Sequence, residues 1–220
     1  MVLSSIIGAV FGCVVGYKKY SRMDNYITTG FIAINAVPIF FLAMVMVTIF
    51  SFKLDIFPLG GLSSVRVPNT FWGAVLDRIW HLILPVATIT LVSIPMKFLV
   101  VRNSVAAAKD EKYVVYAKSR GVSDWRIKFI HIFKNVSQPF ITIVGLNLGF
   151  AISGSMITEV IFSINGMGSL IYDAAIFRDY PTLQGSFLVI SVMVILANIL
   201  TDLLCIMIDP RQREGTYDEN

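Results

Sequence analysis

Five long apolar runs restrict this chain to very few folds. They are Val2 to Tyr17, Thr29 to Phe50, Leu82 to Val101, Phe140 to Phe162 and Phe187 to Ile208. A helix rises about 1.5 Å per residue and the hydrocarbon layer of a bilayer is roughly 30 Å thick, so about 20 apolar residues cross it. Each run is therefore a candidate span, and each must be helical because lipid offers no partner to a free backbone amide. Composition agrees, since 56% of the 220 residues are hydrophobic and 15% charged, against about one quarter charged in a soluble domain. The expected fold class is an all-α polytopic membrane protein with five transmembrane helices.

The first run is short, but it lacks the early basic residues of a signal peptide and Lys18, Lys19 and Arg22 follow it instead. It reads as a retained span rather than a cleaved leader. Cys13 and Cys205 lie inside apolar runs, where a thiol packs as a small apolar group. His81 and His131 are far apart, so no metal-ligand spacing arises and no metal or other cofactor is expected on this chain.

Alternating spans divide the connecting segments into two sets, and basic residues gather on the cytoplasmic set. One set holds thirteen, from Lys18, Lys19 and Arg22 through Arg102 to Lys134 and on to Arg211 and Arg213; the other holds Lys53, Arg66, Arg78 and Arg178. The C-terminus is thus expected inside and the N-terminus outside, which suggests that an upstream span is missing from this sequence or was replaced by an internal start. The net charge of +4 follows from this topology, without any need for nucleic acid.

The stretch from Tyr113 to Pro139 is polar and basic amid the apolar runs. Trp125, Phe129, Ile132, Phe133 and Val136 recur at helical spacing, with Asp124, Lys128, His131 and Asn135 opposite. Gly121 can take the left-handed conformation that ends one helix, and Ser123 or Asp124 can cap the next. The stretch reads as helix, turn, helix. It could rest on the membrane surface with its basic residues near anionic lipid, or it could present side chains to a cytoplasmic partner.

In this register, Tyr113, Ala117, Arg120 and Gly121 resemble the cytoplasmic EAA loop of ABC-importer permeases in its peptide-transporter version. Val115 and Tyr116 occupy the first two places of the general Glu-Ala-Ala motif, leaving Ala117 and Gly121 as the close matches. Leu84-Pro85, Glu159-Val160-Ile161-Phe162, Gly166, Gly168, Arg178-Asp179-Tyr180-Pro181, Gln184-Gly185 and Asp209-Pro210-Arg211 also resemble the B-type permease subunit of peptide importers, in family order along nearly the whole chain.

The resemblance implies a type I permease fold, usually of six spans, so that the chain looks to lack the first. It also implies half of a translocation path, with ATPase coupling through Tyr113, Ala117, Arg120, Gly121, Asp124, Trp125 and Arg126, and a path or gate role for Glu159, Gly166 and Gly168. The implied partners are a second permease subunit, two ATPase subunits or domains that use ATP and Mg, and an external solute-binding protein. The implied location is a bacterial or archaeal plasma membrane. On this basis residues 1–28 form a first span and cytoplasmic loop, 29–212 the permease core with the EAA loop at 109–139, and 213–220 a cytoplasmic tail. No phosphate-binding loop of the G-x-x-x-x-G-K-[ST] type occurs, so energy must come from a partner. Nickel import shares the subunit pattern, and a membrane anchor or signalling subunit that keeps the docking loop is the alternative outside transport.

Lys97, Glu159 and Asp202 lie in or near apolar runs, where a charge needs a partner or water. They could give a translocation route a polar lining; Lys97 and Asp202 better suit interhelical pairing or snorkelling, while Glu159 suits either a gate contact or a carboxylate at a helix end. Gly8, Gly12 and Gly16, and likewise Gly145 and Gly149, are spaced for close helix approach, within the chain or against a sister permease. Pro38, Pro85 and Pro95 can kink their helices. The turn-rich segment from Ser51 to Trp80 falls on the external side, where it could receive a solute-binding protein.

Overall fold

The computed structural model describes residues 1–133, 139–145 and 156–208, with the side chains of Asp202 and residues 204–208 also outside the description. The expectations for Asn135, Val136, Gly149, Asp202, Cys205, the Asp209-Pro210-Arg211 motif and the tail fall outside it. Among the described residues all regular structure is helical. The elements are α1 (Val2–Tyr17), α2 (Arg22–Ala36), α3 (Ile39–Met46, continued by wider π-type turns over Val47–Lys53) and α4 (Phe71–Ala108). They continue with α5 (Lys112–Ser119), α6 (Asp124–Arg126, continued by π-type turns over Ile127–Ile132), α7 (residues 139–145), α8 (Met156–Ile161), α9 (Met167–Ile176) and α10 (Tyr180–Ile208).

Two of these helices, Phe71–Ala108 and Tyr180–Thr201, are long and apolar enough to cross a membrane, and α2 with α3 makes a third if taken as one broken span. The run Thr29 to Phe50 was expected as one helix and is two. Pro38 has φ −59° and ψ 137°; proline lacks the amide that would continue the ladder and pushes its predecessor out of the helical region. Pro85 and Pro95, by contrast, lie within a continuous α4. The run Phe140 to Phe162 is helical over 139–145 and 156–161. Along α10, Leu188, Leu196 and Leu200 are exposed, as side chains turned to lipid would be.

The chain forms two compact units. The first comprises Met1–Asn35, Ser93–Gly149 and Ile195–Asn220. Its main core gathers Cys13, Val101, Val105, Val114, Ala117, Ile127 and Ile132, and a second cluster gathers Val15, Ile94 and Phe98. The glycine stripe of α1 lies on α4. A methyl group added to Gly8 would stand 2.8 Å from Lys97 Cβ, one added to Gly12 2.7 Å from Val101 Cβ, and one added to Gly16 2.6 Å from the Arg102 carbonyl oxygen. Of the two uses open to this stripe, packing within the chain is the one realised.

The second unit comprises Ala36–Val92 and Phe150–Val194, with Ala43, Leu84 and Phe162 at its centre. The turn-rich segment folds onto the end of α8, where Gly61 N–H donates to the Phe162 carbonyl at 2.8 Å. Ser64 is held by Asp77 through its backbone N–H and its hydroxyl. Asp179 caps α10 by accepting from Thr182 N–H at 3.2 Å and Thr182 Oγ1 at 2.6 Å, and these bonds, the hydroxyl's first, hold its carboxyl below the ordinary carboxylate range.

Candidate functional site

The stretch that begins at Tyr113 forms a foot of two short helices. Its inner side is apolar: Val114 and Ala117 on α5 and Ile127 and Ile132 on α6 are buried against Cys13, Val101 and Val105. Between the helices Gly121 has φ +73°, and a Cβ placed there would meet nothing within 4 Å. The glycine is therefore needed for its backbone conformation rather than for space. Ser123 stands at the cap position of α6 with extended backbone, but its side chain makes no capping bond.

The apolar stripe differs from the sequence expectation. Trp125 is 64% exposed, whereas Ile127 and Ile132 are fully buried. The cause is the π-type turn over Ile127–Ile132, whose i→i+5 bonding brings residues five apart onto one face. Trp125 is left on the outer side, 5.7 Å from Phe129 ring to ring.

The outer side gathers Tyr116, Arg120, Gly121, Asp124, Trp125 and Arg126, all exposed, with the Arg120 guanidinium 5.7 Å from the Tyr116 ring centre. Five of the seven expected coupling residues, Arg120, Gly121, Asp124, Trp125 and Arg126, are thus exposed. Ala117 is 8% exposed and packs in the core, so its closest role is to let α5 lie tightly on that core. Tyr113 is half-buried against it.

Two polar links escaped the sequence reading. Tyr17, the last residue of α1, donates its hydroxyl to Asp124 Oδ1 at 2.9 Å. Asp24, fully buried, accepts from Arg102 Nε at 2.9 Å, from Tyr20 N–H at 2.9 Å and from Thr28 Oγ1 at 3.1 Å, and forms an ion pair with the same guanidinium. Sequence separations of 107 and 78 residues leave no local signal for either. Lys97 reaches from α4 to α1, donating to Ser4 Oγ at 2.9 Å, an interhelical contact.

In the second unit, Glu159, Gly166 and Gly168 meet at the start of α9. Glu159 Oε2 accepts from Ser169 N–H at 2.9 Å, and Ser169 Oγ accepts from Gly166 N–H at 2.9 Å. This is a capping box with one part borrowed. Gly166 has no side chain to satisfy the third amide of the helix, so the carboxylate supplies the acceptor from α8. A Cβ on Gly166 would lie 2.5 Å from Glu159 Oε2, and one on Gly168 2.5 Å from Met156 Cα. The carboxylate thus serves as a helix-end group here.

A family model described as the binding-protein-dependent transport system inner membrane component matches residues 8–214. The chain belongs to this family. Among its relatives are a probable peptide ABC transporter permease protein, y4tP, of Sinorhizobium fredii, 31% identical over 214 residues, covering 97% of this chain and 66% of the relative. The oligopeptide transport system permease protein AppB of Bacillus subtilis is 32% identical over 211 residues, covering 96% and 65%. The dipeptide transport system permease protein DppB of Escherichia coli is 29% identical over 232 residues, covering 97% and 68%. The chain spans about two thirds of the length of these relatives. As a member of the inner membrane component family it is an all-helical polytopic membrane protein, and both the foot and the Glu159 corner lie inside the matched region.

Proposed function

We propose that the chain is the permease subunit of an ATP-driven importer of peptides, forming half of the translocation path and receiving work from separate ATPase subunits through the foot. The observation that carries this reading is the division of labour across the foot: an inner side buried to the last methyl at Ile127 and Ile132, and an outer rim of exposed aromatic and charged groups. A stiff element with a spent inner face and an unspent outer face suits a lever between a partner and the membrane helices. The names of the relatives support peptides as the substrate class. In this reading the partners are a second permease, two ATPase subunits or domains that bind ATP and Mg, and an external solute-binding protein. The excess of basic residues on one set of loops supports a cytoplasmic foot and C-terminus, in the plasma membrane of a bacterium or archaeon. Glu159, Gly166 and Gly168 keep a gate role in this proposal, because a carboxylate that holds a helix start would release that helix if another donor displaced Ser169 N–H.

The test is reconstitution of the complete transporter in vesicles, where peptide-stimulated ATP hydrolysis and peptide uptake are measured together. Gly121→Ile should leave insertion intact and abolish uptake while hydrolysis persists, because a β-branched residue is strained at φ +73°. Gly121→Asn should restore uptake, since asparagine tolerates that conformation. Wild-type uptake by the isoleucine variant would refute the coupling role.

A further inference from the structure

Tyr17 stands where three helices meet. Its hydroxyl bonds to Asp124 on α6, and its ring carries Lys128 Nζ of α6 at 4.6 Å and Lys118 Nζ of α5 at 5.1 Å from the centroid. One side chain at the end of α1 therefore holds both helices of the foot by polar contacts. Among the described residues the foot is otherwise attached by apolar packing around Cys13, Val101 and Ile127, which resists separation but has no preferred direction of slide. A hydrogen bond and two cation–ring contacts do have one, because their strength falls as the angle and the offset change.

We propose that Tyr17 is a positioning residue that locks the foot to α1, so that displacement of the exposed rim moves α1 with it instead of sliding beneath it. The inference rests on the importer reading for its consequence, though not for the lock itself. The two variants divide the contacts: Tyr17→Phe keeps the ring and loses the hydrogen bond, and Tyr17→Leu keeps apolar bulk and loses all three.

Two measurements decide it. Amide hydrogen exchange of the purified protein in lipid nanodiscs should accelerate over residues 112–133 by about fivefold in Tyr17→Phe and about thirtyfold in Tyr17→Leu, from the usual net worth of such contacts, with the α9 amides as internal reference. In reconstituted transporter, Tyr17→Phe should move fewer peptides per ATP hydrolysed, a ratio that mere loss of folded protein would leave unchanged. Unaltered exchange in the foot of either variant overturns the lock whatever the protein transports, and an unaltered coupling ratio overturns its mechanical role. If wild-type vesicles show no peptide-stimulated hydrolysis, the importer reading fails and the exchange result still decides whether Tyr17 holds the foot. Should Tyr17→Leu not fold, the fivefold change in Tyr17→Phe carries the test.

Discussion

The foot and the Glu159 corner are built from the same parts, a glycine turn leading into a short helix, and they use them in opposite ways. At Gly121 the backbone is left-handed and the surroundings are empty; at Gly166 and Gly168 the surroundings are full, and Gly166 sits in an extended conformation open to any residue. The foot spends glycine on direction, ties Asp124 to Tyr17 of α1 and leaves Arg120, Trp125 and Arg126 exposed. The corner spends glycine on space and uses its polar groups on itself, with the Glu159 carboxylate doing for α9 what a cap side chain would do. In the reading proposed above, the exposed Trp125 and Arg126 of the foot are left for a partner, whereas the corner satisfies its polar groups internally.

That contrast breaks most readily at Gly168. A methyl group there meets the Met156 backbone rather than a movable side-chain tip, so Gly168→Ala must displace α8 from α9. Overpacking of this kind costs about 1–3 kcal/mol, and an effect near the upper end is expected because backbone has to move. Thermal unfolding in detergent should reveal it as a lowered midpoint, and an unchanged midpoint would mean that the corner is not packed as described. Removing the borrowed cap should cost less. Glu159→Ala leaves the Ser169 amide unpaired and is expected to lower stability by about 1 kcal/mol, as loss of an N-cap does. Glu159→Gln, which keeps an acceptor oxygen, should retain most of that.

What could be read from sequence follows the range of the forces involved. The helix–turn–helix of the foot and the left-handed Gly121 were legible because turn chemistry and helical periodicity act over a few residues. Trp125 lies off the stripe that periodicity gives it because one π-type turn between Ile127 and Ile132 shifts the register, which a 3.6-residue period does not contain. The break at Pro38 was foreseeable as a kink, though not as a full interruption of the helix, which depends on the packing around it. For Glu159 the sequence leaves a gate contact and a helix-end carboxylate equally open, because the bond that engages it comes from a donor ten residues onward. The Tyr17–Asp124 and Asp24–Arg102 links join distant parts of the chain, and only the glycine stripe of α1, which brings α1 onto α4, hinted that such contacts could form.

The smallest change in stability should accompany the largest separation between folding and coupling. Trp125 and Arg126 are exposed, and no hydrogen bond or ion pair ties either side chain among the described residues. Trp125 loses one ring contact with Phe129 on truncation, so Trp125→Ala and Arg126→Ala should each shift stability by no more than about 0.5 kcal/mol. A docked partner would bury them, and at such interfaces aromatic and arginine side chains supply much of the binding energy. Binding of the ATPase subunit to each variant, measured in nanodiscs, should therefore weaken about tenfold or more while the unfolding midpoint stays put. A rim that faced only lipid head groups would give the opposite pattern. ATPase affinity would then be indifferent to both substitutions, and the contrast between the exposed Trp125 and Arg126 of the foot and a self-satisfied corner would lose its functional meaning.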